Sequence, residues 1–148
     1  MSENNVLIQL YSSRILALTA DMPMTDRLEN PDATHKKRAP LCGSTVTVDV
    51  KVKDGVIQSF GQDVKACTLG QASAAVLGGA VIGRTKAEIE TARDQLKAML
   101  RDNGPVPDAP FEGYEVLLPA RDYKNRHASI LLSIDATVAA LEEIEAAQ

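Results

Sequence analysis

The chain has 148 residues, 45% hydrophobic and 24% charged, the size and make-up of one compact globular domain and too short for two full ones. Lys plus Arg total 16 against 20 Asp plus Glu, a formal net charge of -4, so nothing suggests the basic face that nucleic acid requires. Aromatics are 3% and Trp is absent, which leaves Val, Leu, Ile and Ala to build the core. The apolar-rich stretch from Val6 to Leu18 is interrupted by Gln9, Ser12, Ser13 and Arg14. It falls short of the roughly 20 apolar residues of a membrane span. Ser2-Glu3-Asn4-Asn5 ahead of it carries no positive charge for a secretory signal. A cytoplasmic protein away from membranes is expected, and there a lasting disulfide is disfavoured. Two cysteines then point to burial, metal or reactivity.

In chain order, residues 1–20 read as an N-terminal helix from Asn5, with Leu7, Tyr11, Ile15 and Leu18 lining one face. Residues 21–41 are polar, broken by Pro23, Pro31 and Pro40, and read as a long irregular loop that contains the basic run Lys36-Lys37-Arg38. Residues 42–66 hold the clearest pattern. Val46, Val48, Val50 and Val52 alternate with polar residues, Asp54-Gly55 is a turn, and Val56 to Val64 returns as a second strand. The helical part, 67–148, opens with an Ala/Gly/Ser-rich helix after Cys67 that Gly83 ends. Thr85 and Glu88 form a capping box before a helix carrying Ile89, Ala92, Leu96 and Met99, stopped at Asn103-Gly104-Pro105. After an irregular connection with four prolines, Leu131, Ile134, Val138, Leu141 and Ile144 mark a terminal amphipathic helix. The expected fold is a single α+β domain, a small antiparallel sheet with a central hairpin and helices packed on one face. No internal repeat or low-complexity tract is visible.

The hairpin brings the two cysteines together. A two-residue loop at Asp54 and Gly55 sets Cys42 opposite Cys67. A three-residue loop, which pairs Val52 with Val56 and Val48 with Phe60, sets Cys67 opposite Leu41 instead. Directly opposite side chains have Cβ atoms roughly 4.5–5.5 Å apart, so either register makes the thiols neighbours at one end of the sheet. Cys42 sits beside Gly43, where the backbone can turn into the strand. Cys67 sits at a helix start, whose positive dipole end favours the thiolate that binds zinc or iron. Passive burial of two small apolar side chains and a redox disulfide are the competing readings. No acid–base pair, phosphate loop or Ser–His–Asp arrangement stands out, so an enzyme is not expected.

These residues resemble the iron–sulfur cluster assembly scaffold family, the NifU N-terminal and IscU-like proteins, from about Asn30 to the final helix. Asn30-Pro31 is similar to the family's Asn-Pro, and Pro40-Leu41-Cys42-Gly43 to its first cysteine loop. The hairpin through Asp54-Gly55, and Ala66-Cys67 followed by Gln71-Ala72-Ser73-Ala74, resemble its second cysteine and the helix after it. Two departures matter. The third family cysteine, in a His-Cys-Ser-Ile-Leu context, is replaced in His127-Ala128-Ser129-Ile130-Leu131, and Ser44 stands where the family carries Asp. Asp122-Tyr123-Lys124-Asn125 reads as an insertion of about one helical turn after Pro119-Ala120-Arg121.

The resemblance implies an IscU-like scaffold or carrier that binds iron and a labile iron–sulfur cluster, [2Fe-2S] by preference, through Cys42, Cys67 and His127 as replacement ligand. His35, Asp63, Ser44 and Asp122 are weaker candidates, and His127 could equally be the first residue of its helix's buried stripe. The implied partners are a cysteine desulfurase, recipient apoproteins and a chaperone, the chain working as monomer or homodimer. Two alternatives stay open: a zinc-binding sulfur acceptor for a desulfurase, and an interaction module whose metal site has degenerated.

Overall fold

The computed structural model describes residues 12–40 and 43–148. Leu7, Tyr11, Leu41 and Cys42 lie outside these residues, and with them the first part of the expected N-terminal helix. Its described part is α1, Ser13–Ala20, capped by the Ser12 hydroxyl, with Ile15 fully buried and Leu18 half-buried.

Three strands follow, β1 (Ala33–Arg38), β2 (Thr45–Lys53) and β3 (Val56–Lys65), in the antiparallel order β1-β2-β3. β1 corrects the expectation of an irregular loop over 21–41. Its residues, Ala-Thr-His-Lys-Lys-Arg, contain no apolar alternation, because this is an edge strand whose inward side chains are only half-buried. Cations on such an edge discourage pairing with other chains. Ala39 N donates to the Ser44 carbonyl (2.8 Å) and Gly43 N to the Ala39 carbonyl (3.0 Å), closing the turn from β1 to β2. Gly43 has φ +72°, a conformation that L side chains rarely adopt.

The hairpin register also differs from both expectations. At the turn Lys53 faces Val56 and Val52 faces Ile57, as a two-residue loop requires. Beyond it a bulge leaves Gln58 unpaired, so Lys51 faces Ser59 and Val50 faces Phe60. The shift is physically sensible: it puts Ile57 and Phe60 on the same, inner face with Val48 and Val50. The ladder ends with Thr45 opposite Lys65, so Cys67, two residues on, comes level with Gly43 rather than Cys42 or Leu41.

Four elements complete the chain: α2 (Thr68–Ala80), α3 (Lys86–Arg101), a 3-10 segment (Glu112–Asp122) and α4 (Lys124–Ala146). The Thr85–Glu88 capping box is formed in both directions, and Ile89, Ala92, Leu96 and Met99 are buried. Lys124 and Asn125, read as part of an insertion, are the first two residues of α4. This helix lies across β1 and β2 and also packs on α2 and α3, while α1 packs on α2. The helices therefore share one face of the sheet.

Two polar devices fix the layers. On the inner face Gln62, fully buried, donates to the Ala74 carbonyl of α2 (2.9 Å) and accepts from Ser133 of α4 (2.8 Å), so one side chain ties sheet to both helices. On the outer face the carboxylate of Asp49, also fully buried, accepts from Arg27 Nε (2.6 Å), Arg27 Nη2 (3.1 Å), Thr34 Oγ1 (2.6 Å) and Leu28 N (3.0 Å). The segment before β1 is thereby strapped over the sheet, close enough that a Cβ on Gly61 would strike the Asp26 carbonyl.

Candidate functional site

Cys67 is the N-cap residue of α2, in extended conformation (φ -64°, ψ 169°). Its carbonyl accepts from Gln71 N (2.9 Å), starting the helix, but its side chain makes no capping bond. The thiol is thus left for other work. It is half-buried and free, with Sγ 3.5 Å from Ser129 Oγ in the second turn of α4. Ser129 in turn donates to Ser44 Oγ (3.2 Å), the last residue of the Ala39–Ser44 turn. Thiol, α4 hydroxyl and turn hydroxyl form a chain across three elements, with Ser44 and Ser129 both buried. The close approach of α2 to α4 depends on Gly70, where a Cβ would come within 2.6 Å of Ser129 Oγ.

His127 lies one turn into α4 and is 4% exposed. Its Nε2 is 3.0 Å from the Ala120 carbonyl and 3.1 Å from that of Arg121. Carbonyls only accept, so Nε2 carries the proton and the lone pair of the neutral ring is on Nδ1. That nitrogen forms no hydrogen bond among the described residues. A ring N–H held by a backbone carbonyl with the other nitrogen free is how a metal-binding histidine is oriented. The same bonds also serve the packing of the buried stripe.

The weaker candidates separate. Ser44 Oγ lies 3.2 Å from Ser129 Oγ, which in turn faces the Cys67 thiol. His35 sits on β1 with Nδ1 2.6 Å from Glu143 near the far end of α4, remote from Cys67 along the helix. Asp63 is exposed on the outer face opposite Thr47, and Asp122 is exposed at the end of the 3-10 segment. Cys42 lies outside the described residues, flanked by the described Pro40 and Gly43. Among the described residues there is no group of three or more His, Cys, Asp or Glu placed to hold a metal, and no helix long and apolar enough to cross a membrane.

Ser129 and Gly70 were not anticipated as site residues. Ser129 falls inside the quoted His127-to-Leu131 stretch, but a serine between apolar residues reads as packing. Only the fold shows its hydroxyl against the thiol.

A three-stranded antiparallel sheet with helices on one face, its thiol-bearing edge closed by the start of a long terminal helix, defines the scaffold class of IscU-like domains. No family model matches the sequence. The crystal structure of a nitrogen-fixing NifU-like protein (N-terminal) from Brucella abortus is similar over 97% of this chain and 99% of that one, with 43% identity and a TM-score of 0.94. The iron-sulfur cluster assembly scaffold protein IscU of Thermotoga maritima is 22% identical over 139 residues, 94% of this chain and 97% of that protein. A putative iron-sulfur cluster assembly scaffold protein for the SUF system from Fervidobacterium islandicum AW-1 shares the fold at a TM-score of 0.79 and 21% identity, over 90% of this chain and 98% of that one. The chain belongs to the IscU/NifU-like scaffold family.

Proposed function

We propose that this protein is a scaffold or carrier in iron–sulfur cluster assembly, binding iron and a labile cluster, [2Fe-2S] by preference, through Cys42, Cys67 and Nδ1 of His127. The observation that carries the reading is the Cys67 thiol: placed at a helix start, unused in capping, and in contact with Ser129 and through it with the turn in whose sequence Cys42 falls. Thiolate and imidazole are the ligand types that suit iron–sulfur species. The extensive likeness to a NifU-like protein supports the same reading. With Ala128 offering no ligand, three protein groups leave part of the cargo unwrapped, which favours its transfer to recipient apoproteins. Sulfur would come from a cysteine desulfurase, and no catalytic step is assigned to the scaffold itself.

The test is metal and sulfide analysis of anaerobically purified and reconstituted protein beside Cys42→Ala, Cys67→Ala and His127→Ala. Iron with cysteine-dependent visible absorption is expected. Zinc without iron uptake points instead to a sulfur acceptor, and neither metal in a folded protein to an interaction module. Metal kept in His127→Ala but lost in the cysteine variants removes His127 from the ligand set.

A further inference from the structure

We infer that the cleft lined by Arg101, Lys124, His127 and Ala128 is a subsite for the carboxylate of a small thiol ligand, whose sulfur joins the cargo held at Cys67. The inference rests on the scaffold reading above. The cleft has a volume of about 310 Å³ and opens at the start of α4. Arg101 ends α3 and Lys124 begins α4, so two helices each deliver a cation to it. Neither has an ion-pair partner among the described residues. Asp102 and Asp122 are near in sequence but do not line it. The wall also contains the buried His127 ring, whose Nδ1 the proposed function assigns to the metal.

The charge in this cleft lacks a counterpart. α4 is 23 residues long, has no side-chain cap and has no acidic residue in its first turn. Its positive end therefore adds to the two cations, and a carboxylate is a small anion that guanidinium and ammonium groups and a helix start all bind.

The thiol requirement comes from position. Ala128 presents only an exposed methyl to the cleft, and the next residue, Ser129, is the one that touches Cys67 Sγ at 3.5 Å. A short ligand anchored by its carboxylate can extend past Ala128 toward the cargo and add a thiolate there. On binding, its S–H proton goes to solvent and a sulfur lone pair goes to the metal, with no change of oxidation state. Free cysteine and a thiol-bearing peptide such as glutathione share this chemistry.

The experiment titrates iron- and sulfide-loaded protein with 3-mercaptopropionate and with 2-mercaptoethanol, which lacks the carboxylate, following visible absorption. The carboxylate thiol is expected to bind about fivefold more tightly, the scale of charge contacts at partly exposed sites. That preference should vanish in Arg101→Gln/Lys124→Gln while the metal content stays unchanged. Equal binding of the two thiols, or a preference that survives in the double variant, overturns the inference and leaves the scaffold reading intact. A protein that takes up no metal in any form overturns both. Parallel titrations with cysteine and glutathione identify the source as the one that binds more tightly. If neither exceeds 2-mercaptoethanol, the subsite does not exist.

Discussion

Ser129 Oγ lies 3.5 Å from Cys67 Sγ, joining the start of α2 to the first turns of α4. The hydroxyl can orient the sulfur because it is itself held: it donates to Ser44, and Gly70 keeps the space around it clear. In Ser129→Ala this support is lost while every proposed ligand remains. Metal affinity, read by competition with a chelator, is expected to fall about tenfold, the lower range for groups that orient a ligand. An unchanged affinity would make Ser129 a packing residue only.

Gly70 and Gly79 share one helix and make a matched comparison. At Gly79 a Cβ would meet nothing within 4 Å, so Gly79→Ala is expected to stabilise by about 0.5–1 kcal/mol through helix propensity. At Gly70 the same methyl would lie 2.6 Å from Ser129 Oγ and 2.8 Å from Ala66 Cβ. Overpacking of about 1–3 kcal/mol then exceeds the propensity gain, and Gly70→Ala is expected to destabilise and to disturb the thiol. Urea unfolding of both variants checks the sign of each change.

Asp49 sets a pH dependence. Burial alone would raise its carboxyl, but the hydrogen bonds from Arg27, Thr34 and the Leu28 amide, together with the Arg27 charge, outweigh this and hold it below its usual value of 3.8. A carboxyl lowered in the folded state gives stability that is complete above its unfolded value of about 4 and is lost as pH falls through the folded value. Asp49→Asn is expected to cost about 2 kcal/mol near neutrality, where hydrogen bonds to a charged group are lost. The gap to the parent should hold down to about pH 5 and close on further acidification. A gap that is constant from neutral to acid pH would contradict this.

Tyr114 is fully buried, and among the described residues its hydroxyl makes no hydrogen bond of good geometry. Ser73 is its polar neighbour, but the Ser73 hydroxyl donates to the Ile130 carbonyl (2.5 Å). Burial pushes the phenol strongly upward, so it stays neutral. Tyr114→Phe removes a desolvated group without removing a bond and is expected to leave stability unchanged or to raise it by about 1 kcal/mol, measured as the urea midpoint. A large loss would reveal a partner that forms in solution.

The parts of the fold legible in the sequence were those with a strong local code. Alternating valines wrote β2, Thr85 and Glu88 wrote the start of α3, and the Leu131-to-Leu141 spacing wrote the buried face of α4. β1 was illegible because an edge strand of Thr, His, Lys and Arg carries no apolar alternation. The bulge at Gln58 was equally hidden: it is needed only to bring Ile57 and Phe60 onto one face, which is a demand of the assembled core. At the site, the change of pattern at Cys67 located the helix start to within a residue. The role of Ser129 could not be read, since it depends on packing between elements 62 residues apart in sequence.

The edges of the sheet have a consequence for self-association. β3 is shielded, with Ile57 N donating to the Arg84 carbonyl and Gln62 N to the Met24 carbonyl. β1 is the strand left to meet another chain, and its last three residues are Lys36, Lys37 and Arg38. Two copies joined antiparallel along β1 would put six cations and no acidic residue into one seam, three toward each end, an unbalanced charge of the kind that protects sheet edges. Sheet extension between identical molecules through this strand is therefore opposed by its own charge.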